Sequence, residues 1–416
     1  MNSPDMSLFI RVAVRCGRRY LSSSGPSSRL EEKLTRAGAR YGFKTEVFAT
    51  PTGVFVSCVN PEGDKILTLL DRIKESTINL SELARMEAVL DGLASGQMNL
   101  IDTWNELETK KPFAAEYPIA VVLIGAFFVG GLASFTRYGD WKSFLFSGLL
   151  TIMAYFITGP LVNFFKMSGI FCDFLGSLIA LSVAGVLAQV FDLPAEALAI
   201  GAIVLIVPGL TLTTAISELA DHNFASGTVK LMKGILTLLA MATAYLLVND
   251  LSNIYMPMAS SNMGTHILKN VSSEWIQVAC NAGLILSFGI IFHIPKSAIP
   301  WATLAGMLGW IVLKTFQGPQ VLILASYFAS TVVGVVSLLL SRWFHLPSQI
   351  YSVPGILSLL PGMLALSSVT GFGVVQGRTG SEMAFHVAVT ATSIVFGLFT
   401  ARLPIMLTFR SHANDF

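Results

Sequence analysis

The sequence predicts a polytopic α-helical membrane protein of about ten transmembrane helices, arranged as a 5+5 inverted repeat behind an N-terminal soluble α+β domain. Three observations predict it. Of the 416 residues, 53% are hydrophobic and only 12% charged, with a mean hydropathy of +0.67, whereas soluble domains carry roughly 25% charged residues. The charge is also segregated: the chain through Glu116 holds 15 Lys/Arg and 15 Asp/Glu, and the much longer remainder only 12 and 10. Finally, one motif occurs twice. Phe191, Leu193, Pro194 and Pro208-Gly209 recur as Phe344, Leu346, Pro347 and Pro361-Gly362, with thirteen residues between the prolines in each copy and a common offset of 153.

Residues 1–116 alternate helical and extended patterns. Leu8 to Leu21 and Leu30 to Tyr41 have helical spacing, separated by Ser22-Ser23-Ser24-Gly25-Pro26; Ser27 or Ser28 with Glu31 and Glu32 suggests a capping-box start for the second. Thr45 to Ala49, Gly53 to Val59 and Lys65 to Leu70, split by Pro51-Thr52-Gly53 and by Asn60-Pro61-Glu62-Gly63-Asp64, read as a small antiparallel sheet. Ser81 to Ala94, with Ser81 as N-cap and Gly96 as stop, and Leu100 to Glu108 return to helix. Arg11, Arg15, Arg18 and Arg19 read as a solvated helix face, with contact to an anionic lipid or solute as the alternative. Thr50-Pro51-Thr52-Gly53 suits a hairpin turn and could also touch a ligand. The segment contains no histidine, which argues against triad hydrolysis within it.

Crossing an apolar core of about 30 Å takes ~20 residues of helix, and ten stretches qualify. They are Pro118 to Phe135, Ser143 to Phe165, Ser168 to Val190, Ala195 to Ser217, Lys230 to Val248, Trp275 to His293, Ile299 to Thr315, Gln320 to Arg342, Ser348 to Val369, and Met383 to Leu403. The repeat restarts at the sixth, giving halves at 117–252 and 253–416. An odd number of spans per half turns the second copy over in the bilayer, an inverted-topology repeat. Ser7 to Val14, interrupted by Arg11 and followed by Arg15, is too short for a signal-peptide core, so residues 1–116 are expected to be cytoplasmic. Inside loops would then carry Lys166, Lys230, Lys233, Lys296, Arg342, Arg402 and Arg410, against Arg137, Lys142, Lys269, Lys314 and Arg378 outside, the sign expected of positive-inside bias.

A paired Pro-Gly break in the two halves points to a secondary transporter. Pro208 removes a backbone donor inside a span, and the half-helix from Gly209 aims the positive end of its dipole inward, where it suits a carboxylate. The hydroxyls of Thr211, Thr213 and Thr214 lie in its first turns; in the second half Pro361 and Gly362 are followed by Ser367 and Ser368. These nine residues form the predicted substrate site. The competing account is a packing kink whose hydroxyls bond back to their own helix.

Ionisable groups at membrane depth are costly and so mark function by default. Asp173, inside the third span, is read as a proton-coupling carboxylate or a polar helix contact; Glu218, ending the fourth, as a second coupling group or a wet helix end. Glu196 follows Pro194 where an acid caps a helix; His293 and His345 flank span ends, and Asn163 and Gln189 are weaker polar candidates. Cys16, Cys58, Cys172 and Cys280 form no C-x-x-C pair and read as free buried thiols. No cofactor, metal or nucleic-acid partner is implied, since a net charge of +2 gives no basic field. No paired intramembrane catalytic residues point to an enzyme. A passive channel would need a continuous polar pore, whereas the hydroxyls cluster at two breaks.

Taken together, these residues resemble the threonine/serine exporter family over essentially the whole chain. The match runs through Ser24-Gly25-Pro26-Ser27-Ser28-Arg29-Leu30-Glu31-Glu32, Thr50-Pro51-Thr52-Gly53, Ile78-Asn79-Leu80, Pro208-Gly209-Leu210 to Ile216-Ser217-Glu218-Leu219, Gly227 with Lys230-Leu231, Leu346-Pro347, Val353-Pro354-Gly355-Ile356 and Leu359-Leu360-Pro361-Gly362. The resemblance implies an exporter of small amino acids in the bacterial inner membrane, driven by the proton motive force. Related two-protein systems imply export of succinate or another small dicarboxylate as the alternative. Homo-oligomerisation is compatible with either.

Overall fold

The structure, a computed structural model, describes residues 5–73, 77–109, 117–159, 168–255, 273–316, 321–359, 385–386 and 388–403. Its contacts divide it into two compact units. The first comprises Met1–Glu116 with Thr214–Lys230 and Phe292–Lys296; the second, Tyr117–Thr213, Leu231–Ile291 and Ser297–Phe416.

In the first unit, α1 (Met6–Ser22) begins where the Asp5 carboxylate accepts the Ser7 N–H at 2.9 Å. Its Phe9, Val12, Ala13, Cys16 and Tyr20, spaced along one stripe, are wholly buried. Helix α2 (Ser27–Arg40) follows, then an antiparallel sheet in the order β1 (Lys44–Thr50), β2 (Gly53–Val59), β3 (Ile66–Arg72). Thr50 pairs with Gly53, so Pro51-Thr52 is a two-residue hairpin loop. Val54, Val56 and Cys58 on the inner face are buried, while Phe48 and Phe55 on the outer face are exposed. Helices α3 (Leu80–Ser95) and α4 (Leu100–Thr109) complete this part of the chain, α3 stopping at Gly96 with a left-handed φ of 80°.

Three local expectations are corrected. The cap of α2 is Pro26, and Glu31 makes no capping box: its carboxylate accepts the Ala49 N–H of β1 at 2.7 Å. The cap of α3 is Asn79, whose side chain accepts the Glu82 N–H at 3.0 Å, rather than Ser81. Arg19 does not belong to a solvated face. It is 6% exposed, donates to the Leu107 carbonyl at 2.6 Å and faces the buried Glu82 carboxylate at 3.8 Å, joining α1 to α3 and α4.

The second unit is built of apolar helices: α5 (Ile119–Tyr138), α6 (Trp141–Thr158), α7 (Gly169–Phe191), α8 (Ala195–Ile203), the start of α9 (Gly209–Ala220), most of α10 (Phe224–Tyr255), α11 (Glu274–Ile291), α12 (Ile299–Thr315), α13 (Leu322–Phe344), α14 (Gln349–Leu359) and α15 (Ala388–Leu403). Among the described residues, seven helices are long and apolar enough to cross a membrane, and the chain is a polytopic membrane protein. Of the other predicted spans, the fourth is the broken pair α8 and α9, the ninth is described only as far as Leu359, and the tenth is the shorter α15.

The 153-residue offset of the motif also relates two helices. Helices α7 and α13 are each 23 residues long, and their ends, Gly169 and Phe191 against Leu322 and Phe344, are 153 positions apart. Each ends on a left-handed residue before Leu-Pro: Asp192 with φ 52° and His345 with φ 54°. The packing recurs as well. In the first half α5 packs on α6 and α8, α6 on α7 and α8, and α7 on α8; α11, α12, α13 and α14 make the corresponding five pairs. Small residues permit the closest crossings. A Cβ on Gly201 of α8 would stand 2.6 Å from Ser147 Cα of α6, and one on Gly306 of α12 would stand 2.8 Å from Gly355 Cα of α14.

Candidate functional site

The fourth predicted span breaks where the sequence places Pro208-Gly209. Helix α8 ends at Ile203, the chain turns through Val204 to Val207, and α9 restarts at Gly209. The turn is held by Ile206 N–H to Ile203 O at 2.8 Å and Val207 N–H to Ile203 O at 3.1 Å; the first i→i−4 bond beyond it is Leu212 N–H to Pro208 O at 2.9 Å. A carbonyl freed near a break must find another donor. The Thr151 hydroxyl of α6 lies 2.7 Å from both Gly201 O and the Ser147 O of its own helix, its one hydrogen shared between them, and the Ser147 hydroxyl donates to Ala197 O at 2.9 Å. Hydroxyls of α6 thus reach α8 at its third residue and near its end.

Two further helices converge on the break. Gly176 of α7 lies against Ile206, since a Cβ there would meet the Ile206 side chain at 3.5 Å; Asp173 stands one turn earlier on the same helix. The Asp173 carboxylate accepts a 3.1 Å hydrogen bond from the Thr237 hydroxyl of α10. One turn back, Gly234 is where α10 meets Leu212 and Thr211 of α9, and Lys233 is the cation whose field reaches Asp173. Asp173, Thr237 and the exposed Lys233 therefore stand on the two helices, α7 and α10, that pack against the broken pair, within about a turn of the residues that touch it. Such a set can hold a solute carrying both an ammonium and a carboxylate.

The other predicted residues divide as follows. Pro208 and Thr213 are buried, and Gly209 and Thr211 are partly exposed. The Thr213 hydroxyl bonds back to Gly209 O and Leu210 O at 3.1 and 3.0 Å, as the kink account expects of it. Thr214 and Glu218 belong to the first unit. Glu218 is no wet helix end: it is 4% exposed, ion-paired with Lys230 at 2.5 Å and 3.5 Å from the Ser27 N–H that opens α2. Beside it the Ser27 and Ser226 hydroxyls are bonded at 2.9 Å. Glu196 accepts from the Tyr138 hydroxyl at 2.7 Å, which ties α8 to α5 beyond any capping role. Gln189 is exposed, and the His293 carbonyl accepts the Ser81 N–H at 2.9 Å. Pro361, Gly362, Ser367, Ser368 and Asn163 lie outside the described residues.

Sequence reasoning missed Thr237 and counted Lys233 only as a loop charge. The available signal was their i,i+4 spacing within an otherwise apolar helix, which puts both on one face. All four cysteines are free and buried. Among the described residues no group of three or more His, Cys, Asp or Glu is placed to hold a metal ion.

Comparison with known proteins identifies the family. Residues 11–252 match the sequence model of a threonine/serine exporter family, and residues 277–403 match a second threonine/serine exporter model. The chain belongs to the threonine/serine exporter family. It is 22% identical over 408 residues to a threonine/serine exporter of Corynebacterium glutamicum, an alignment covering 94% of this chain and 82% of that protein. No solved structure matches it. Membership in this family points to a transporter rather than an enzyme.

Proposed function

We propose that the protein exports threonine and serine across the bacterial inner membrane in exchange for protons, binding the amino acid at the α8–α9 break. The observation that carries this reading is the Asp173–Thr237 pair beside the start of α9. The positive end of α9 and Lys233 favour the substrate carboxylate, Asp173 its ammonium, and Thr211 its hydroxyl. Thr213 braces the kink and Thr214 continues the same helix, and the repeated Pro-Gly motif adds Pro361, Gly362, Ser367 and Ser368 to the proposed substrate site.

Exchange follows from one carboxylate serving two cations. Asp173 binds an ammonium only while ionised; a proton arriving from outside neutralises it and releases the amino acid, and loss of that proton inside regenerates the binding form. Binding of either cation excludes the other, which is the requirement for antiport. Residues 1–116 form a cytoplasmic domain in this reading, and 117–252 and 253–416 are the inverted halves that alternate access. The equal lengths, matched left-handed stops and corresponding packing of the two halves support that division.

The test is uptake of labelled threonine into proteoliposomes under an imposed proton gradient, with unlabelled serine and succinate as competitors. Saturable, gradient-dependent flux blocked by serine supports the proposal. Flux that ignores the gradient, or that succinate but not serine inhibits, overturns it. Gly209→Leu and Pro361→Ala should reduce flux more than the amount of protein in the membrane.

A further inference from the structure

The sheet of the first unit has two edges that are treated differently. At β1, α2 packs along the strand and the Glu31 carboxylate takes the outward Ala49 N–H. No described element covers the outer edge of β3. Four of its exposed residues are apolar, Ile66 at 65% exposed, Leu67 at 40%, Leu69 at 38% and Leu70 at 49%, beside the exposed Thr68 and Arg72. Natural edges are usually guarded by proline, a bulge or inward-pointing charge. Strand β3 has no proline, pairs with β2 residue for residue without a bulge, and has one inward-facing charge, Asp71, near its end and paired with Arg18.

We propose that β3 pairs with β3 of a second copy of this chain, antiparallel, about a two-fold axis through Thr68. The hydrogen-bond pattern fixes which residues face outward. The Ile73 N–H and the Lys65 carbonyl are both engaged on the β2 side, with Thr52 O and Asn60 N–H. By the alternation of a strand, Ile66, Thr68, Leu70 and Arg72 present their N–H and C=O groups to the open edge. A two-fold pairing must match these outward residues with one another.

Among such registers, the one centred on Thr68 opposite its own copy is distinguished by its side chains. It sets Ile66 against Leu70, Leu67 against Leu69, and Lys65 against Asp71, each pair made twice by symmetry. Apolar residues meet apolar ones and opposite charges meet across the strands, the pairs that stabilise antiparallel sheets. Sliding by two residues puts Asp71 opposite Leu67, and the opposite slide puts Lys65 opposite Leu69. The Asp71 carboxylate is already oriented by Arg18 at 3.4 Å. The joined sheet would shield Leu67 and Leu69 on the inner face and extend the outer row of Phe48, Phe55 and Leu70 with Ile66 of the second copy. This is an isologous contact, in which one patch serves both partners.

The experiment is cross-linking of the full-length protein in native membranes with a short bis-maleimide, using Thr68→Cys. Glu46→Cys, on the same sheet face two strands away, is the control. We expect Thr68→Cys to give a dimer of two copies and Glu46→Cys to give none. On the Thr68→Cys background, Asp71→Lys or Lys65→Asp should each cut the dimer yield by about tenfold through like-charge opposition, and the two together should restore it. Thr68→Pro removes an outward N–H and the 3.0 Å hydroxyl contact with Ser57 but no ladder bond to β2, so it should leave a folded protein that runs as a monomer in mild detergent. Failure of Thr68→Cys to cross-link, cross-linking to a different protein, or charge variants that do not rescue each other would overturn the proposal.

Discussion

The Thr237 hydroxyl of α10 donates a 3.1 Å hydrogen bond to the Asp173 carboxylate of α7, linking two membrane helices at a group that hydrocarbon alone would not tolerate. If Asp173 carries the exchanged proton, Asp173→Asn should flatten the pH profile of threonine transport. Thr237→Val should keep the profile's shape but weaken transport about tenfold, since a hydrogen bond to a charged group is worth about 1.5–3 kcal/mol. Initial rates in proteoliposomes from acid to neutral pH distinguish the two; an unaltered profile for Asp173→Asn removes it from the coupling role.

The buried Glu218–Lys230 pair predicts an asymmetric stability response. The side chains are 5% and 16% exposed, so removing one partner strands a charge. Lys230→Met should cost about 3–5 kcal/mol, and adding Glu218→Leu should recover most of it. Thermal unfolding of the full-length protein in detergent reads both; equal losses in the single and double variants would contradict the pairing.

The close helix crossings predict which glycines are indispensable. Gly201→Leu must push against the Ser147 backbone and should sharply reduce the folded protein, by ~1–3 kcal/mol or more. Gly185→Leu on α7 is the contrast, because a Cβ there has nothing within 4 Å. Fluorescence-detected size-exclusion profiles compare them directly; equal profiles would mean that the α6–α8 crossing can open without cost.

Glu31 predicts a pH dependence of stability. Burial pushes its carboxyl above the usual range, and Glu218 adds to the shift against the opposing Ala49 N–H. The folded state therefore holds the proton more tightly than the unfolded chain. The contribution is fully present below the ordinary glutamate value of about 4.3 and is lost as pH rises through the folded value. Glu31→Gln should make the melting temperature less dependent on pH across this range; an unchanged slope would place the linkage elsewhere.

Thiol chemistry offers a further check. Cys16 is wholly enclosed and its pKa is pushed up to about 12 by burial. The folded protein should resist maleimide at neutral pH until denatured, because the thiolate is the reactive form. Rapid labelling of native protein would mean that α1 opens readily.

What the sequence revealed was what local pattern encodes. The helical stripe of Phe9, Val12, Ala13, Cys16 and Tyr20, the Thr50–Gly53 hairpin and the helix break at Pro208 each announce themselves within a few residues. Arg19 could not be placed this way, because its partner is the Leu107 carbonyl, 88 positions along the chain. Asn79 and Ser81 are competing caps two residues apart, and only the geometry at Glu82 separates them. Asp173 stood out by its cost in hydrocarbon, whereas Thr237 looked like any other threonine in a span. Membrane threonines bond their own helix by default, as Thr243 does to Leu239 O at 2.9 Å.

The contact between Gly306 and Gly355 has a mechanical meaning. Where two backbones touch, no side chain stands between them to change rotamer, so neither helix can slide over the other without separating the pair. Helices α12 and α14 are thereby coupled at this crossing, and bending is left to Pro354 inside α14, beside the contact, and to joints such as the left-handed His345 before Leu346 and Pro347.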